Sequence, residues 1–237
     1  MQHLDLTQPS PAENLALDES LLDYAENLGG GATLRFWESP VEFVVLGYAN
    51  QAAVEVNLEA CLAAGVPVLR RCSGGGTVLQ GPGCLNYNLV LRIDDAGPTR
   101  SIHSTNGFIM ERHRAVVEKL LGRPVTVQGH TDLTVGGLKF SGNAQRRRRN
   151  FLVFHGTFLL HFDLGRISQL LRMPSKQPDY RADRGHEMFL TNLNLAADRI
   201  KSTLRLVWGA ASPLEQVPDI STLVSEKYSR EDWNRKF

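Results

Sequence analysis

Two polar segments of this chain have the composition of an anion-binding site. The first covers residues 70–77, with the sequence RRCSGGGT, and follows an apolar run that is typical of a strand. Glycine lacks a Cβ atom, so its backbone N–H can approach a phosphate closely and its φ angle can be positive. Arginine adds a permanent charge with forked donors. Because a glycine triplet alone is equally typical of a flexible turn, the interpretation depends on the second segment.

The second segment covers residues 132–145, with the sequence DLTVGGLKFSGNAQ. Polar and apolar residues alternate on both sides of its Gly-Gly pair, which predicts a β-hairpin. The second strand carries one lysine, Lys139, directly before a run of small residues. A lysine on a hairpin is more often a solvated strand residue than a functional one. Beside glycine and serine, however, its ammonium group can reach a buried anion, which makes Lys139 a candidate site residue.

An apolar run follows the hairpin at residues 151–162, with the sequence FLVFHGTFLLHF. It is too apolar to be exposed on both faces, so we predict a core strand that carries His155 and Gly156. A histidine in such a strand is as consistent with a hydrogen-bonded core residue as with one that lines a site. The four arginines at 146–149 predict an exposed hairpin tip, with a docking patch for an acidic partner as the alternative.

Further elements must position these segments. A helix is predicted to begin at Ser10-Pro11, because Ser10 is a cap residue and Glu13 completes a capping box. The glycines at 29–31 end it. The remaining predictions are strands at 33–38 and 43–47, helices at 58–64 and 103–121, hairpins within 125–162, and mostly helices beyond residue 165. Hairpins instead of regular strand–helix alternation indicate an α+β fold, a single mixed-sheet domain with flanking helices.

Composition is consistent with one globular domain over residues 1–237. The chain has 42% hydrophobic residues and a formal net charge of +1, which gives no global attraction to nucleic acid or anionic membrane. Its three unevenly spaced cysteines indicate neither a disulfide framework nor a zinc site. The first residues do not resemble a signal peptide, and no apolar run is long enough to span a bilayer. We expect a cytoplasmic protein without nucleic-acid or membrane partners.

Ordered segments of the chain resemble the lipoate-protein ligase family, within the wider group of biotin and lipoate ligases and octanoyltransferases. The resemblance rests on residues 71–77, on Leu85-Asn86-Tyr87, on Asp132, on residues 139–145 (KFSGNAQ) and on His155-Gly156-Thr157. Residues 35–38 (RFWE), 44–47 (VVLG) and Asn192-Leu193 also fit. Several segments in a fitting order over nearly the whole chain are more specific than any one motif.

This resemblance implies a reaction in two steps. Lipoate reacts with ATP to give lipoyl-adenylate and pyrophosphate, and the lipoyl group then passes to a specific lysine of a lipoyl-domain or H-protein-like carrier. Mg²⁺ is expected with ATP, although no metal ligand can be named. The resemblance implies Lys139 as the catalytic residue, between the phosphate and the carboxylate. In the second step the same lysine would stabilise charge on the acyl carbonyl oxygen.

The resemblance also assigns the binding residues. Those expected to hold ATP or the adenylate are Arg71, Ser73, Gly74, Gly75, Gly76, Thr77, Val78, Leu79, Asp132 and Lys139. Those expected to hold lipoate are Trp37, Gly75, Lys139, Ser141, Gly142, His155 and Gly156. Trp37 would pack against the acyl chain, since a flat apolar wall suits an alkyl tail, although it could equally fill core space.

Alternatives remain within and beyond this fold. Octanoyl transfer uses a cysteine that carries a thioester, and Cys72 is the thiol nearest to the proposed site, where we expect it to be structural filler. Biotin ligation and a non-catalytic lipoate- or nucleotide-binding module are further alternatives. We expect no C-terminal accessory domain, so the chain activates lipoate alone, needs a separate accessory polypeptide, or only transfers a preformed adenylate.

Overall fold

A computed structural model describes residues 1–237 of the chain. Its strands are β1 (Gln2–Asp5), β2 (Thr33–Trp37), β3 (Phe43–Leu46), β4 (Val68–Arg70), β5 (Val78–Gln80), β6 (Cys84–Arg92), β7 (Thr126–Gln128), β8 (Asp132–Val135), β9 (Leu138–Arg147), β10 (Phe151–Leu159) and β11 (Ser212–Pro213). Its α-helices are α1 (Pro11–Asn27), α2 (Ala52–Glu55), α3 (Leu58–Ala63), α4 (Ile102–Leu121), α5 (Leu164–Leu170), α6 (His186–Phe189), α7 (Ala197–Val207), α8 (Ser221–Leu223) and α9 (Glu231–Asn234). A 3₁₀ turn covers Asp179–Arg181, and a π-helical turn covers Val224–Tyr228.

Eight strands form one mixed sheet in the order β11-β1-β2-β6-β10-β9-β8-β7. Strand β1 is parallel to both of its neighbours, and every other pair is antiparallel. The nine-residue strands β6 and β10 lie in the centre, paired from Phe151 with Arg92 to Leu159 with Cys84. Their apolar runs explain this position, because both faces of the sheet are covered there. The predicted α+β class and the predicted core strand are confirmed.

A second, smaller sheet has the order β4-β3-β5. Strand β3 is parallel to β4 and antiparallel to β5. The glycine-rich segment at residues 71–77 connects β4 to β5, so this sheet holds both ends of the loop. The apolar strand predicted before the loop is therefore present, and it belongs to a separate sheet that the sequence pattern did not indicate.

The predicted hairpin is formed by β8 and β9. Its turn residues Gly136 and Gly137 have φ angles of 57° and 76°. Two successive positive φ angles suit the right-handed twist of a tight hairpin, and glycine adopts them without steric cost. A register shift lies between Leu133 and Thr134, and Lys139 pairs with Thr134. The turn chemistry thus fixes where Lys139 lies along the strand.

Capping residues set the bounds of the two long helices. The Ser10 side chain accepts a hydrogen bond from the Glu13 N–H, and the Glu13 carboxylate accepts one from the Ser10 N–H, which completes the predicted capping box of α1. Helix α4 begins after a similar Ser101 cap and ends at Gly122, whose φ is 67°. No helix has the length and apolar character needed to cross a membrane.

The hydrophobic core is divided between the two sheets. The largest cluster contains α4 residues such as Ile109 and Val117, α7 residues such as Ile200, and central-sheet residues such as Phe154. A second cluster surrounds the small sheet and includes Ile167 of α5. Because each sheet has its own apolar support, the space between them can remain open as a cavity.

Candidate active site

A cavity of about 1110 Å³ lies where the two sheets meet. Its lining comes from the glycine-rich loop, the β8–β9 hairpin, the His155 region of β10, and residues 172–190, here called the wall segment. The cavity is larger than the common range for small-ligand sites, about 300–1,000 Å³. It therefore has room for a nucleotide and an acyl chain together.

Arg71 shapes the glycine-rich loop from within. It donates hydrogen bonds to the carbonyl oxygens of Gly74 (2.7 Å) and Gly76 (2.7 Å) and to the Ser73 hydroxyl (3.1 Å). Burial lowers the pKa of its guanidinium to about 10, so it stays charged at neutral pH. Gly75 has a φ of 87°, and a Cβ there would lie 2.8 Å from the Arg71 Nη2. Arg71 lines the cavity, but most of its donors hold the loop.

Arg70 directly precedes the loop and ties the end of β4 to residues 47–50 and to the segment that contains Asn234. It is fully buried and donates hydrogen bonds to the Gly47, Asn50 and Asn234 carbonyl oxygens at 2.8–3.1 Å. A Cβ at Gly47 would lie 2.1 Å from the Gly75 oxygen, so only glycine permits this approach. The arginine pair is thus a framework for the loop, a role that the sequence pattern did not separate from anion binding.

Lys139 lies on β9 and lines the same cavity as the loop. Its Nζ is 2.8 Å from Asp132 Oδ1, and the Tyr180 hydroxyl donates to Asp132 Oδ2 at 2.7 Å. A Cβ at Gly142 would lie 2.9 Å from the Lys139 Nζ, so glycine leaves room for the ammonium group. The Lys139 carbonyl accepts a hydrogen bond from the Thr191 N–H at 2.9 Å. Contacts from both strands and from the wall segment therefore fix this lysine at the cavity.

His155 belongs to a buried polar chain at the inner side of the cavity. Its Nε2 is 2.5 Å from the Ser73 hydroxyl, and its Nδ1 is 3.5 Å from Asp18 Oδ2. Asp18 in turn accepts a hydrogen bond from Arg35 at 2.6 Å. His155 and Asp18 line the cavity, whereas Ser73 is 1% exposed and does not. Both expectations for His155 hold, since it is a hydrogen-bonded core residue that also borders the cavity.

Trp37 combines two environments. Its side chain is 2% exposed and packs with Phe43, at 6.3 Å between ring centroids, in a cluster that includes Leu15 and Tyr228. It also borders the cavity. Its role as a wall for an acyl chain stays a prediction that this placement allows.

The structure brings nearly all of the predicted site residues together. Those that line the one cavity are Trp37, Arg71, Gly74, Gly75, Gly76, Thr77, Val78, Leu79, Asp132, Lys139, Ser141, Gly142, His155 and Gly156. Ser73 lies behind the loop, where its hydroxyl contacts Arg71 and His155. Gly156 gives space to a neighbouring strand, since a Cβ there would lie within 3 Å of the Gly142 oxygen.

Several cavity residues lay outside the sequence prediction. Glu55, Tyr180 and Arg181 line the cavity, and the last two belong to the wall segment. That segment has little regular structure, so neither periodicity nor a motif marked it. The sequence signal that could have found it is a proline- and charge-rich stretch, PSKQPDYRADR, between two apolar runs.

Three of the four arginines at 146–149 tie the hairpin to other parts of the chain. Arg146 donates to the Cys72 carbonyl at 3.1 Å, and Arg147 donates to the Thr99 carbonyl at 2.7 Å. Arg148 pairs with Asp23 at 2.7 Å. The predicted hairpin tip is confined to residues 148–150, which are exposed. These contacts favour the structural interpretation over a docking patch.

No cysteine borders the cavity. Cys61, Cys72 and Cys84 are free thiols and are buried. Burial raises the pKa of Cys72 and of Cys84 to about 12 in each case. Such thiols are protonated at neutral pH and poor nucleophiles.

The residues present suit a magnesium ion that arrives with a nucleotide. No group of three or more histidine, cysteine, aspartate or glutamate residues could form a complete metal cage. Mg²⁺ commonly uses one or two carboxylates together with phosphate oxygens and water. Two carboxylates that line the cavity could bind such an ion. Asp132 is the partner of Lys139, and Asp179 belongs to the wall segment.

Comparison with known proteins agrees with this geometry. The model of the lipoyl protein ligase A/B catalytic domain matches residues 10–203. The chain belongs to this family. It is 34% identical to a putative lipoate-protein ligase A of Aeropyrum pernix over 90% of this chain and 76% of that protein. It is 26% identical to lipoate-protein ligase A subunit 1 of Thermoplasma acidophilum over 93% and 90%. An octanoyltransferase LipM of Carboxydothermus hydrogenoformans is 29% identical over 73% and 69%.

Solved structures of lipoate ligases share the fold of this family member. A bipartite ligase of Thermoplasma acidophilum, solved as a lipoylation system with its E2 lipoyl domain, has a TM-score of 0.84 at 23% identity, covering 99% of this chain and 95% of that chain. A lipoate-protein ligase A bound with ATP has a TM-score of 0.80 at 25% identity, covering 99% and 98%. These similarities confirm the predicted ligase-type catalytic fold.

Proposed function

We propose that this protein is an ATP-dependent lipoate-protein ligase. Its substrates are ATP and lipoate, and its acceptor is a lysine of a lipoyl-domain or H-protein-like carrier. The observation that supports this most directly is that Lys139 and the glycine-rich loop line one cavity large enough for both substrates. The setting proposed for this chemistry is the cytoplasm, where three free thiols stay reduced.

The first step joins the lipoate carboxylate to the nucleotide. A carboxylate oxygen attacks the α-phosphorus, a new P–O bond forms, and the bond to the β-phosphate oxygen breaks so that pyrophosphate leaves with the electron pair. Negative charge increases on the α-phosphate oxygens in the transition state. Lys139 and the backbone N–H groups of the loop stabilise this charge, because they are fixed before the reaction begins.

The second step transfers the acyl group. The carrier lysine, as a neutral amine, attacks the acyl carbonyl, and AMP leaves with the electrons of the acyl–phosphate bond. Lys139 can donate to the carbonyl oxygen as charge develops there. Asp132 and Tyr180 hold its ammonium group in place, so one residue serves both steps. No protein nucleophile is needed.

The cysteines weigh against octanoyl transfer through a thioester. Some relatives are octanoyltransferases named LipM, and one from Bacillus cereus is 24% identical over 99% of this chain. A thioester mechanism needs an accessible thiolate. In this chain every cysteine is buried and none reaches the cavity. Retention of Arg71, the three glycines and Lys139 in one cavity likewise favours an enzyme over a binding module.

A need for a separate accessory polypeptide is the alternative to activation of lipoate by this chain alone. The Thermoplasma acidophilum relative is named as subunit 1 and its structure is described as bipartite. The chain is therefore assayed in two stages, first alone and then with a preformed adenylate. This design separates activation of lipoate from transfer of the lipoyl group.

The decisive experiment is lipoate-dependent release of pyrophosphate from ATP by the purified chain. Lys139→Ala is expected to lower the rate at least about 100-fold, because one charge-stabilising donor is removed. Lys119→Ala is the matched control, since Lys119 is an exposed residue of α4, and it is expected to leave the rate unchanged.

A second assay supplies lipoyl-adenylate and an apo-carrier domain. Carrier modification without pyrophosphate release would identify a transfer subunit that needs an activation partner. Failure of both assays would contradict ligase activity and favour octanoyl transfer or a binding module. Equal rates for wild type and Lys139→Ala would remove Lys139 from the mechanism.

A further inference from the structure

Four arginines of this chain are buried, and one of them lacks the partners of the other three. Arg35 pairs with Asp18 at 2.6 Å. Arg70 donates to the Gly47 and Asn234 carbonyl oxygens, and Arg71 donates to carbonyl oxygens within the glycine-rich loop. Arg181 is 5% exposed and has no carboxylate within 4.0 Å. With one hydrogen bond to a backbone carbonyl, its guanidinium has fewer protein acceptors than those of the other three.

The contacts of Arg181 hold its guanidinium but leave one end free. Its Nε donates to the Arg184 carbonyl at 2.9 Å, and its Nη2 lies 3.7 Å from the Met173 sulfur and 3.4 Å from His186 Nδ1. The group lies over the Phe189 ring, at 4.6 Å from its centroid. Its Nη1 has no hydrogen-bond partner in the protein and is not among the atoms enclosed from solvent.

His186 does not offset the charge. Burial lowers its pKa, so its imidazole is neutral at pH 7. Its Nε2 lies 3.1 Å from the Arg172 carbonyl, which places the proton there and leaves Nδ1 as an acceptor for Arg181. A buried cation without an anion is unfavourable, and an anionic ligand removes this penalty.

Arg181 lines the same cavity as Lys139 and follows Tyr180 directly in the 3₁₀ turn. The Tyr180 hydroxyl donates to Asp132, which is the partner of Lys139. Arg181 is therefore a buried cation of this cavity that the wall segment supplies and the glycine-rich loop does not.

We propose that Arg181 binds the polyphosphate end of ATP and the pyrophosphate that leaves. This inference rests on the proposed function, which brings several phosphate groups into the cavity. Asp132 already neutralises Lys139, and the loop carbonyls occupy Arg71. The planar fork of Arg181 matches phosphate oxygens and retains two N–H groups for them. The wall segment thus supplies the binding site for the β- and γ-phosphates.

The first test is binding of inorganic pyrophosphate, measured by calorimetry for wild type and for Arg181→Gln. The variant is expected to bind pyrophosphate at least about tenfold more weakly, because a charge-assisted hydrogen bond is lost. Arg181→Lys keeps the charge without the fork and is expected to regain part of the affinity. Lipoate affinity is expected to stay the same in all three proteins.

The second test separates the kinetic constants. Arg181→Gln is expected to raise the KM for ATP by a similar factor, with the KM for lipoate unchanged. Transfer from preformed lipoyl-adenylate, which has no β- or γ-phosphate, is expected to proceed at the wild-type rate. Melting temperature serves as the folding check for each variant.

Arg184→Gln is the matched control from the same segment, because Arg184 donates to the Gly137 carbonyl and has no free position in the cavity. An equal loss of pyrophosphate binding in Arg184→Gln would overturn the proposal. The affinity for pyrophosphate would then depend on the wall segment as a whole and not on the Arg181 guanidinium. Unchanged pyrophosphate binding, or weaker lipoate binding instead, would also overturn it. If pyrophosphate binding depends on Arg181 but the protein does not activate lipoate, the result would support this phosphate site and contradict the ligase proposal.

Discussion

At the scale of single residues, the type of a side chain did not predict what Arg70, Arg71 and Ser73 contact in the folded protein. Residues 70–77 predicted an anion site from charge and glycine content. In the structure Arg71 donates to carbonyl oxygens of the loop, Arg70 donates to carbonyl oxygens outside it, and Ser73 joins His155 behind it. Anion binding by this segment stays a prediction. Lys139 differs, because its placement beside Gly142 could be predicted from the small-residue run. Which donors are free depends on partners that are distant in sequence, and local pattern contains no such information.

Cys72 gives a test at this scale. Cys72→Ser is expected to keep the rate of lipoyl transfer within about threefold, since a thiol this strongly protonated is not a nucleophile. The measurement is carrier modification by mass spectrometry, with Cys84→Ser as the control for a second buried thiol of similarly raised pKa. A large loss confined to Cys72→Ser, with the fold intact, would instead favour a thioester mechanism.

At the scale of elements, helices with caps and strands with turn residues were predictable. The wall segment has no such signals, and contacts with the hairpin hold it in place. The predicted helices at 58–64 and 103–121 appear as α3 and α4 with bounds within one residue. The predicted strand at 151–162 ends earlier, at Leu159, because Leu160 and His161 bond back to Gly83. The elements whose bounds are marked by capping or turn residues were therefore predicted best.

The packing of α4 against α7 contains a pH-sensitive contact. His113 of α4 is fully buried and accepts a hydrogen bond from the Trp208 indole at 3.0 Å. Burial lowers the pKa of His113 to about 3 from 6.5. Between these values the unfolded chain binds a proton and the folded chain does not, so acid favours unfolding. The contribution of His113 to the free energy of unfolding is therefore complete above pH 6.5 and decreases as the pH falls towards 3.

Denaturant titrations from pH 7.5 downwards test this. The free energy of unfolding of wild type is expected to fall relative to that of His113→Gln, by up to about 1.4 kcal/mol per pH unit. His103→Gln is the control from the same helix, because His103 is exposed. Parallel pH profiles for wild type and His113→Gln would exclude His113 as the cause.

At the scale of the whole molecule, Glu19 joins regions that are far apart in sequence. This α1 carboxylate is 2% exposed, and it accepts hydrogen bonds from Lys227 (2.6 Å) and the Tyr228 hydroxyl (2.7 Å). Arg146 of β9 approaches it at 3.4 Å. Glu19 thereby connects the long helix, the strand that carries Lys139, and the π-helical turn. Neither charge pattern nor periodicity could have predicted such a junction.

Glu19→Gln keeps the shape of this residue and removes its charge. The free energy of unfolding is expected to fall by about 1–3 kcal/mol, because charged donors lose their acceptor while solvent reaches them only in part. The measurement is the urea midpoint at constant slope. Glu59→Gln, at an exposed position of α3, is expected to leave the midpoint unchanged. An equal midpoint for Glu19→Gln and wild type would contradict this role.

The hydrogen bonds of Arg70 also determine when part of the chain can complete its folding during synthesis. Arg70 bonds to Trp233 and Asn234, which follow it by 163 and 164 positions. The ribosome adds these partners long after the loop itself has emerged. The nascent chain can form the hairpin and the central strands early, but the base of the glycine-rich loop acquires this support only after residue 234 has been added. The cavity therefore reaches its final form later in synthesis than the strands that line it.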